Sequence, residues 1–227
     1  ATDAKKAADS DHGIEVALFG RMVADSKDLN VDSAVQVAHA LSTHAVEIES
    51  DYFTAVDDYK LDEDDAGAGM IGTVEFTSET LYRFAAVAVS TLKDNLGDVD
   101  LTAQAASAFV RGFIMSMPTG KQNTFANNTI PDAVVVQVRK GRSASFIGAF
   151  EDPVTSDDGG FVAASCQAVA AYAHDCEEAF LGAPEASFVT RVGSRTEAIG
   201  TMGTQMPIDD LVSSVRDQVT SLLQDES

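Results

Sequence analysis

The sequence has no long apolar run, only two cysteines, and no segment rich in proline or in glycine and serine. A membrane-spanning helix needs about 20 consecutive apolar residues, so nothing in the chain is expected to span a membrane. Cys166 and Cys176 lie in one predicted helix, too far apart along its axis for a ready disulfide, which favours a reducing, cytoplasmic setting. Without linkers or a repeat of fixed period, the 227 residues predict one domain, or one domain with an extension.

Basic residues are scarce, since 15 lysines and arginines stand against 36 aspartates and glutamates for a net charge of −21. A polyanion repels nucleic acid at long range, and phosphate binding needs lysine and arginine to release counterions. Taken alone, the charge argues against an RNA-binding protein. The acid is unevenly spread, because six of the nine residues from Asp57 to Asp65 are acidic. The only dense basic cluster is Arg139, Lys140 and Arg142, which a solvated hairpin turn explains equally well.

Apolar patterns predict a mixture of strands and helices. Strands are predicted at residues 14–19, 35–48, 81–89, 133–139 and 144–150, with a turn at 140–142 between the last two. Helices are predicted at residues 101–117, 160–181 and 207–223. The first helix shows Phe109, Phe113 and Met117 at every fourth position, and Pro207 opens the last one. Strands mixed with helices packed on one side predict an α+β sandwich.

A protruding β-hairpin is predicted between Tyr52 and Phe76. Two β-prone runs, one containing Phe53 and the other Met70 and Ile71, flank a polar acidic stretch. A hairpin with apolar arms and a solvated tip is suited to contact something outside its own domain.

Few residues have the spacing of a catalytic or metal site. The acidic pair Asp57 and Asp58 can hold a divalent ion or act as an acid and base, but a solvated turn explains it more simply. His39 and His44 have no zinc-ligand spacing with each other or with the cysteines, so no metal or cofactor is expected. The loop at 120–123 lacks the full P-loop signature, so nucleotide hydrolysis is not indicated.

An ordered series of short motifs runs along most of the chain. In chain order they are Leu18-Phe19-Gly20-Arg21-Met22, Val37-Ala38-His39-Ala40, Thr43-His44, Tyr52-Phe53-Thr54-Ala55-Val56-Asp57-Asp58, Gly72-Thr73-Val74-Glu75-Phe76, Tyr82-Arg83-Phe84, Asn95-Leu96-Gly97, Gly120-Lys121-Gln122-Asn123-Thr124-Phe125-Ala126, Pro131-Asp132 and Ala149-Phe150-Glu151. One such string is weak, whereas the ordered series up to about residue 161 is specific. It resembles the CasC family, the repeated backbone subunit of the type I-E CRISPR Cascade complex.

The resemblance implies an RRM-like (ferredoxin-like) palm, which is a β-sheet backed by helices, with the hairpin inserted as a thumb. The implied division is residues 1–34 for a partial palm segment, 35–80 for the thumb insertion, and 81–227 for the rest of the palm with its C-terminal helices. Members of the family are longer and carry a basic N-terminal portion. The chain is therefore expected to be a C-terminal fragment in which the N-terminal part of the fold is missing.

The resemblance also implies a function without catalysis. The subunit would oligomerise along a guide crRNA and divide it into short segments for target DNA recognition, with further copies of itself and other Cascade subunits as partners. The implied RNA-binding residues are Met22, Phe53, Thr54, Met70, Ile71, Lys121 and Gln122. Spacing alone interprets the apolar ones among them as core and the loop at 120–123 as an ordinary loop.

Two other functions stay open from the residues. One is an acidic metal-dependent hydrolase centred on Asp57 and Asp58. The other is a structural domain that packs against partner proteins through the alanine-rich helix predicted at 160–181.

Overall fold

The computed structural model describes residues 13–55, 70–156 and 160–225. The helices are α1 (Ile14–Phe19), α2 (Val89–Leu96), α3 (Val99–Met115), α4 (Gln122–Phe125), α5 (Val162–Cys176) and α6 (Ile208–Asp225). The strands are β1 (Val35–Val37), β2 (Leu41–Ser42), β3 (Glu49–Ala55), β4 (Met70–Phe76), β5 (Leu81–Tyr82), β6 (Ala85–Val87), β7 (Ala133–Val138), β8 (Ala186–Arg191) and β9 (Thr204–Gln205). This mixture of small sheets and helices confirms the predicted α+β class. No helix within the described ranges is long and apolar enough to cross a membrane.

The first element is a helix, so the strand predicted at 14–19 is wrong. Ala17 and Leu18 of α1 are buried in a cluster with α2 and α3. The helix ends at Gly20, whose φ of 78° favours glycine and where a Cβ would lie 2.8 Å from the Val31 carbonyl oxygen. β-branched residues suggested a strand, but propensity is a weak guide over six residues and the burial of one helical face decides the structure.

Residues 35–55 and 70–87 form the two arms of one long antiparallel ribbon. Its ladders pair β1 with β6 at the base, then β2 with β5, then β3 with β4. Two interruptions separate the three ladders. At the first, residues 38–40 on one arm lie opposite residues 83–84 on the other. At the second, residues 43–48 lie opposite residues 77–80. One arm therefore carries one extra residue at the first interruption and two at the second, and an extra residue on one strand is the feature of a β-bulge. The strands predicted at 35–48 and 81–89 are thus each broken into two shorter strands.

A second sheet has the order β7-β8-β9, with β7 antiparallel and β9 parallel to β8. Its two faces are covered by different helices. Val134 and Val136 pack against the cluster that includes α6, whereas Val135 and Val189 join the cluster that includes α5. This alternation is the period of two that a strand imposes on its side chains.

The predicted partner of β7 is wrong. The segment at 144–150 forms no strand but a 3-10 helix, Ile147–Phe150, and β7 pairs instead with β8. Two contacts hold the segment in place: the Phe146 backbone N–H donates to the Tyr82 hydroxyl at 3.0 Å, and the Tyr82 and Phe150 rings lie 5.5 Å apart. Sequence proximity suggested a local hairpin, and only the tertiary packing identifies the distant strand.

Helix α3 lies between two hydrophobic cores and confirms the helix predicted at 101–117. Its N-terminus is capped by Asp98, whose side chain accepts from the Leu101 backbone N–H at 2.7 Å. Ala105 and Ala106 pack with α1 and α2, and Ala103 packs with α6. Small side chains allow close packing on both sides.

The two other predicted helices are also confirmed. Helix α5 is continued by a π-helical turn, Glu177–Leu181, and the helix ends at Gly182. Helix α6 follows Pro207 and buries Leu211, Val215, Val219 and Leu223 on one face.

Candidate nucleic-acid interface

The hairpin of β3 and β4 exposes both of its faces. In an antiparallel pair, directly opposite residues share a face. Phe53 opposite Gly72 and Ala55 opposite Met70 therefore lie on one face, together with Val74 and Phe76; we call this face A. Tyr52 opposite Thr73 and Thr54 opposite Ile71 lie on the other, which we call face B. The structure thus divides the four predicted hairpin residues, with Phe53 and Met70 on face A and Thr54 and Ile71 on face B.

The core interpretation of these residues does not hold, because the four side chains are exposed. A two-stranded hairpin without a covered face is marginally stable in water by itself. Within the described residues the hairpin carries Glu49, Asp51 and Glu75 and no lysine or arginine. This described part of the hairpin can therefore offer a ligand apolar and aromatic surface but no cation.

The loop that contains Lys121 and Gln122 meets the hairpin at face A. The Phe125 ring of α4 lies 4.7 Å from the Phe76 ring at the hairpin base. The Lys121 ammonium lies 5.8 Å from the Phe125 ring centroid, within cation–π range. Gln122 donates to the Asn128 side-chain oxygen at 2.8 Å. Although they are 45 positions apart in the sequence, Lys121 and Phe76 thus contact the same ring.

Lys121 and Ala126 both have positive φ, 62° and 51°, although neither is glycine. Non-glycine residues in this region carry a modest backbone cost, and such positions cluster at ligand sites. Every residue from 121 to 130 is exposed. The loop therefore holds a lysine and several amide side chains toward solvent in a defined conformation.

Met22 lies in a separate exposed turn. Its side chain is 88% exposed, and the turn is closed by the bridge between Arg21 and Val31. Inside the turn, the Arg21 guanidinium donates to the Leu29 carbonyl at 2.8 Å and the Val23 N–H donates to Asn30 Oδ1 at 2.6 Å. These bonds fix the turn below Met22 and leave its thioether in water.

An aromatic stripe links α1, α3 and the ribbon by ring contacts. We use this name for Phe19, Phe109, Phe113 and Arg83. The Phe19 and Phe109 rings are 6.1 Å apart, as are those of Phe109 and Phe113, and Arg83 lies 4.5 Å above the Phe113 ring. Sequence reasoning used Phe109 and Phe113 only as a helix signal. Their spacing of four is the sequence signal for these contacts, and Arg83 lies between β5 and β6.

The root of the hairpin is fixed to α5 by a buried hydrogen bond. The hydroxyl oxygens of Thr43 and Ser165 are 2.8 Å apart, and both residues are buried. Thr43 also donates its backbone N–H to the Thr80 carbonyl on the opposite arm at 2.9 Å. One residue therefore connects both arms of the ribbon to a helix far away in sequence.

His44 completes this root. Its ring stacks on Phe161 at a centroid distance of 3.7 Å. Nδ1 lies 2.7 Å from the Ala45 carbonyl oxygen, and Nε2 accepts from the Thr80 backbone N–H at 3.1 Å. These partners require the tautomer with the hydrogen on Nδ1. His44 is thus a buried packing residue, while His39 is exposed.

The predicted basic cluster is only partly available to a ligand. Arg139 donates to the Gln137 side chain, to the Gly182 carbonyl and to Glu177, and its side chain is nearly buried. This arginine therefore fixes the π-helical turn after α5 to strand β7. Lys140 and Arg142 are exposed.

The alternative hydrolase has no site within the described residues, and the alanine-rich helix of the structural alternative is α5. Asp57 and Asp58 lie outside the ranges that the structure describes. Among the residues described, no group of three histidine, cysteine or acidic side chains is arranged to hold a metal ion.

The family is decided by comparison with known proteins. The family model described as CT1975-like protein matches residues 1–214. The chain belongs to the CT1975-like protein family. A search among curated proteins returns no match.

Two solved structures share the fold of this CT1975-like protein. One is described as "CRISPR RNA-guided surveillance complex, pre-nicking"; its chain is 35% identical, with a TM-score of 0.80 over 90% of this chain and 56% of that chain. The other is described as "CRISPR RNA-guided surveillance complex"; it is 36% identical, with a TM-score of 0.77 over 88% of this chain and 78% of that chain. These matches confirm the RRM-like α+β fold class and show that the chain is similar to chains of CRISPR RNA-guided surveillance complexes. The present chain spans little more than half the length of the first of these relatives.

Proposed function

We propose that this CT1975-like protein is the non-catalytic backbone subunit of a type I-E CRISPR interference complex and that it binds the guide crRNA with its hairpin as a thumb. The observation that carries the proposal is the convergence at Phe76, Phe125 and Lys121 of an exposed apolar hairpin with a lysine-bearing loop. The order of the family motifs and the two solved surveillance complexes support the same function.

The Lys121 loop and the hairpin make different kinds of contact with RNA. Lys121 neutralises a phosphate, and Gln122 with its neighbours supplies hydrogen-bond donors for phosphate or ribose. Phe53, Met70 and Ile71 contact base surfaces without reading base edges, which suits a subunit that must accept any guide sequence. Met22, exposed on its fixed turn, supports a base displaced by the hairpin.

Further parts of the proposal concern the assembly. Copies of the subunit line up along the crRNA, each hairpin interrupts the guide, and the segments between hairpins pair with the target DNA strand. Other Cascade subunits bind the same filament, and the complex acts in the cytoplasm. No residue of the chain is assigned a catalytic role.

Co-purification with RNA tests the proposal. We expect the protein carrying this chain, when expressed with a CRISPR array, to purify with crRNA, and Phe53→Ala with Met22→Ala to reduce the bound RNA. Phe180→Ala is the matched control, because Phe180 is exposed to the same 88% as Met22 but lies after α5. Equal loss of RNA in the control, or full retention in the double variant, would contradict the assignment.

A nuclease assay separates the proposal from the alternative hydrolase. We expect the crRNA to remain intact in the purified complex with Mg²⁺ present, and chelation to leave its length distribution unchanged. Cleavage that requires a divalent ion and is lost in Asp57→Asn with Asp58→Asn would instead establish the hydrolase.

A further inference from the structure

Gly72 stands at a position where the backbone does not need glycine. It lies in the middle of β4, and its φ is not among the positive values that several other glycines of the chain adopt. In an extended strand alanine is favoured over glycine, because glycine loses more conformational freedom on folding. The reason for glycine must therefore lie in the space beside the strand.

That space is occupied by the ring of Phe53. A Cβ placed on Gly72 would lie 2.5 Å from Cζ and 2.8 Å from Cε1 of Phe53, closer than non-bonded carbon atoms approach each other. Phe53 is the residue directly opposite Gly72 in the ladder. The aromatic side chain therefore lies across the ribbon and covers the glycine, an arrangement known to stabilise glycine in sheets.

The contact with Gly72 also reduces the solvent exposure of the Phe53 side chain. Phe53 is 42% exposed, whereas the neighbouring Tyr52 on face B is 76% exposed. The tip of the Phe53 ring lies against Gly72, and the rest of the side chain provides its exposed surface. This surface belongs to face A, the face on which Phe76 contacts Phe125 beside Lys121.

We propose that Gly72 is a positioning residue that holds the Phe53 ring flat on face A as a stacking platform for one RNA base. The inference rests on the proposed function. A flat ring presents its π-face to a base, which is the geometry that sequence-independent stacking requires. Without the space at Gly72 the ring would have to rotate away from the ribbon, and the base would lose its platform even though Phe53 is still present.

Fluorescent guides test this proposal in the assembled complex. The guide RNA carries 2-aminopurine at one position at a time, because stacking on an aromatic ring quenches this base. We compare the wild type with Gly72→Ala, Phe53→Leu and the control Thr73→Ala, which alters the adjacent residue on face B. We expect quenching at the contacted position in the wild type and in the control, and its loss in the two face A variants. Loss of the stacked base should weaken guide binding roughly 5- to 150-fold in Phe53→Leu, with most of that loss in Gly72→Ala.

The outcomes distinguish a failure of the proposed base contact from a failure of the proposed role of Gly72. If the wild type quenches at no position, the proposed base contact itself fails, and the inference fails with it. If the wild type quenches and Gly72→Ala quenches equally, the hairpin binds bases but Gly72 does not position Phe53.

A melting experiment on the free chain checks the geometry without RNA. We expect Gly72→Ala to change the melting temperature less favourably in the presence of the Phe53 ring than in the Phe53→Leu background, because only the ring meets the added Cβ. Equal changes in melting temperature on Gly72→Ala in the two backgrounds would overturn the inference.

Discussion

Replacing Thr43 by valine is expected to loosen the root of the hairpin at a measurable cost in stability. Valine has the shape of threonine without the hydroxyl, so the change removes the 2.8 Å hydrogen bond to Ser165 and leaves packing nearly unchanged. The Ser165 hydroxyl then stays buried without this partner. A buried polar group left unsatisfied costs about 1–3 kcal/mol. For a chain of this size, that corresponds to a fall in melting temperature of roughly 2–12 °C.

A double-mutant cycle isolates this hydrogen bond. Ser165→Ala alone leaves the Thr43 hydroxyl without its partner and should cost a similar amount, whereas Thr43→Val with Ser165→Ala removes both polar groups together. We expect the double variant to be about 0.5–3 kcal/mol more stable than the sum of the single effects predicts.

Urea unfolding followed by circular dichroism measures the four proteins of the cycle. Ser42→Ala is a useful comparison, since its hydroxyl bonds locally to the His44 carbonyl at 2.8 Å and does not reach α5. Strict additivity of the two single variants would refute the reasoning, because it would mean that the two hydroxyls do not interact in solution. Guide binding by the folded fraction then shows whether the position of the hairpin depends on this root.

Three further predictions concern side chains away from the RNA. His44→Phe keeps the stack on Phe161 but loses the bond from Thr80, so it should cost about 1–3 kcal/mol by urea unfolding, while the exposed His39→Phe stays within about 0.5 kcal/mol. Arg139→Met removes the cation beside Glu177, which keeps the bond from Gln137 Nε2 at 2.8 Å, and should cost about 1.5–3 kcal/mol, whereas Arg142→Met should change little by the same assay. Burial, with a smaller effect of Asp132, raises the pKa of the Cys166 thiol from 9.0 to about 11. Because the unfolded chain ionises first, the contribution of Cys166 to stability is present below pH 9 and is lost as the pH rises from 9 to 11, a decrease that Cys166→Ala should abolish in unfolding titrations.

The parts of the fold that the sequence predicts are those determined by neighbouring residues. The hairpin depends on two adjacent β-prone runs, and α3 depends on apolar residues at every fourth position, so both are visible in the sequence. Pairing between distant segments is not. Strand β7 pairs with β8, and the sheet that they form packs against α5 and α6. The sequence does not identify this pairing, because the nearer segment at 144–150 has a similar apolar pattern.

The candidate interface shows the same limit at the level of side chains. Exposure of Phe53 and Met70 follows from their position on the hairpin, which the motif resemblance identified. The contact of Phe76 with Phe125 could not be predicted, because it joins a strand end to a loop through tertiary structure. Arg139 was grouped with Lys140 and Arg142 by sequence alone, yet its bonds to Glu177 and Gly182 direct it into the protein.

The acidic composition limits the interactions by which this protein can bind RNA. In the described part of the hairpin the charged residues are Glu49, Asp51 and Glu75, so this part cannot gain affinity by releasing counterions from phosphates. Its contribution must come from stacking and apolar contact, which depend little on salt. The Lys121 loop differs from the hairpin because it carries a cation. Lys121 is exposed, and its ammonium lies beside the Phe125 ring.

Salt titrations of guide binding should therefore separate the two surfaces. Lys121→Gln removes one phosphate contact and should make the slope of log K against log salt shallower by about 0.7, the value for one contact on single-stranded nucleic acid. Phe53→Leu should weaken binding at every salt concentration by a similar factor and leave the slope unchanged. A change of slope in Phe53→Leu as large as that in Lys121→Gln would mean that the hairpin acts through phosphates, and the division of chemistry between hairpin and loop would be wrong.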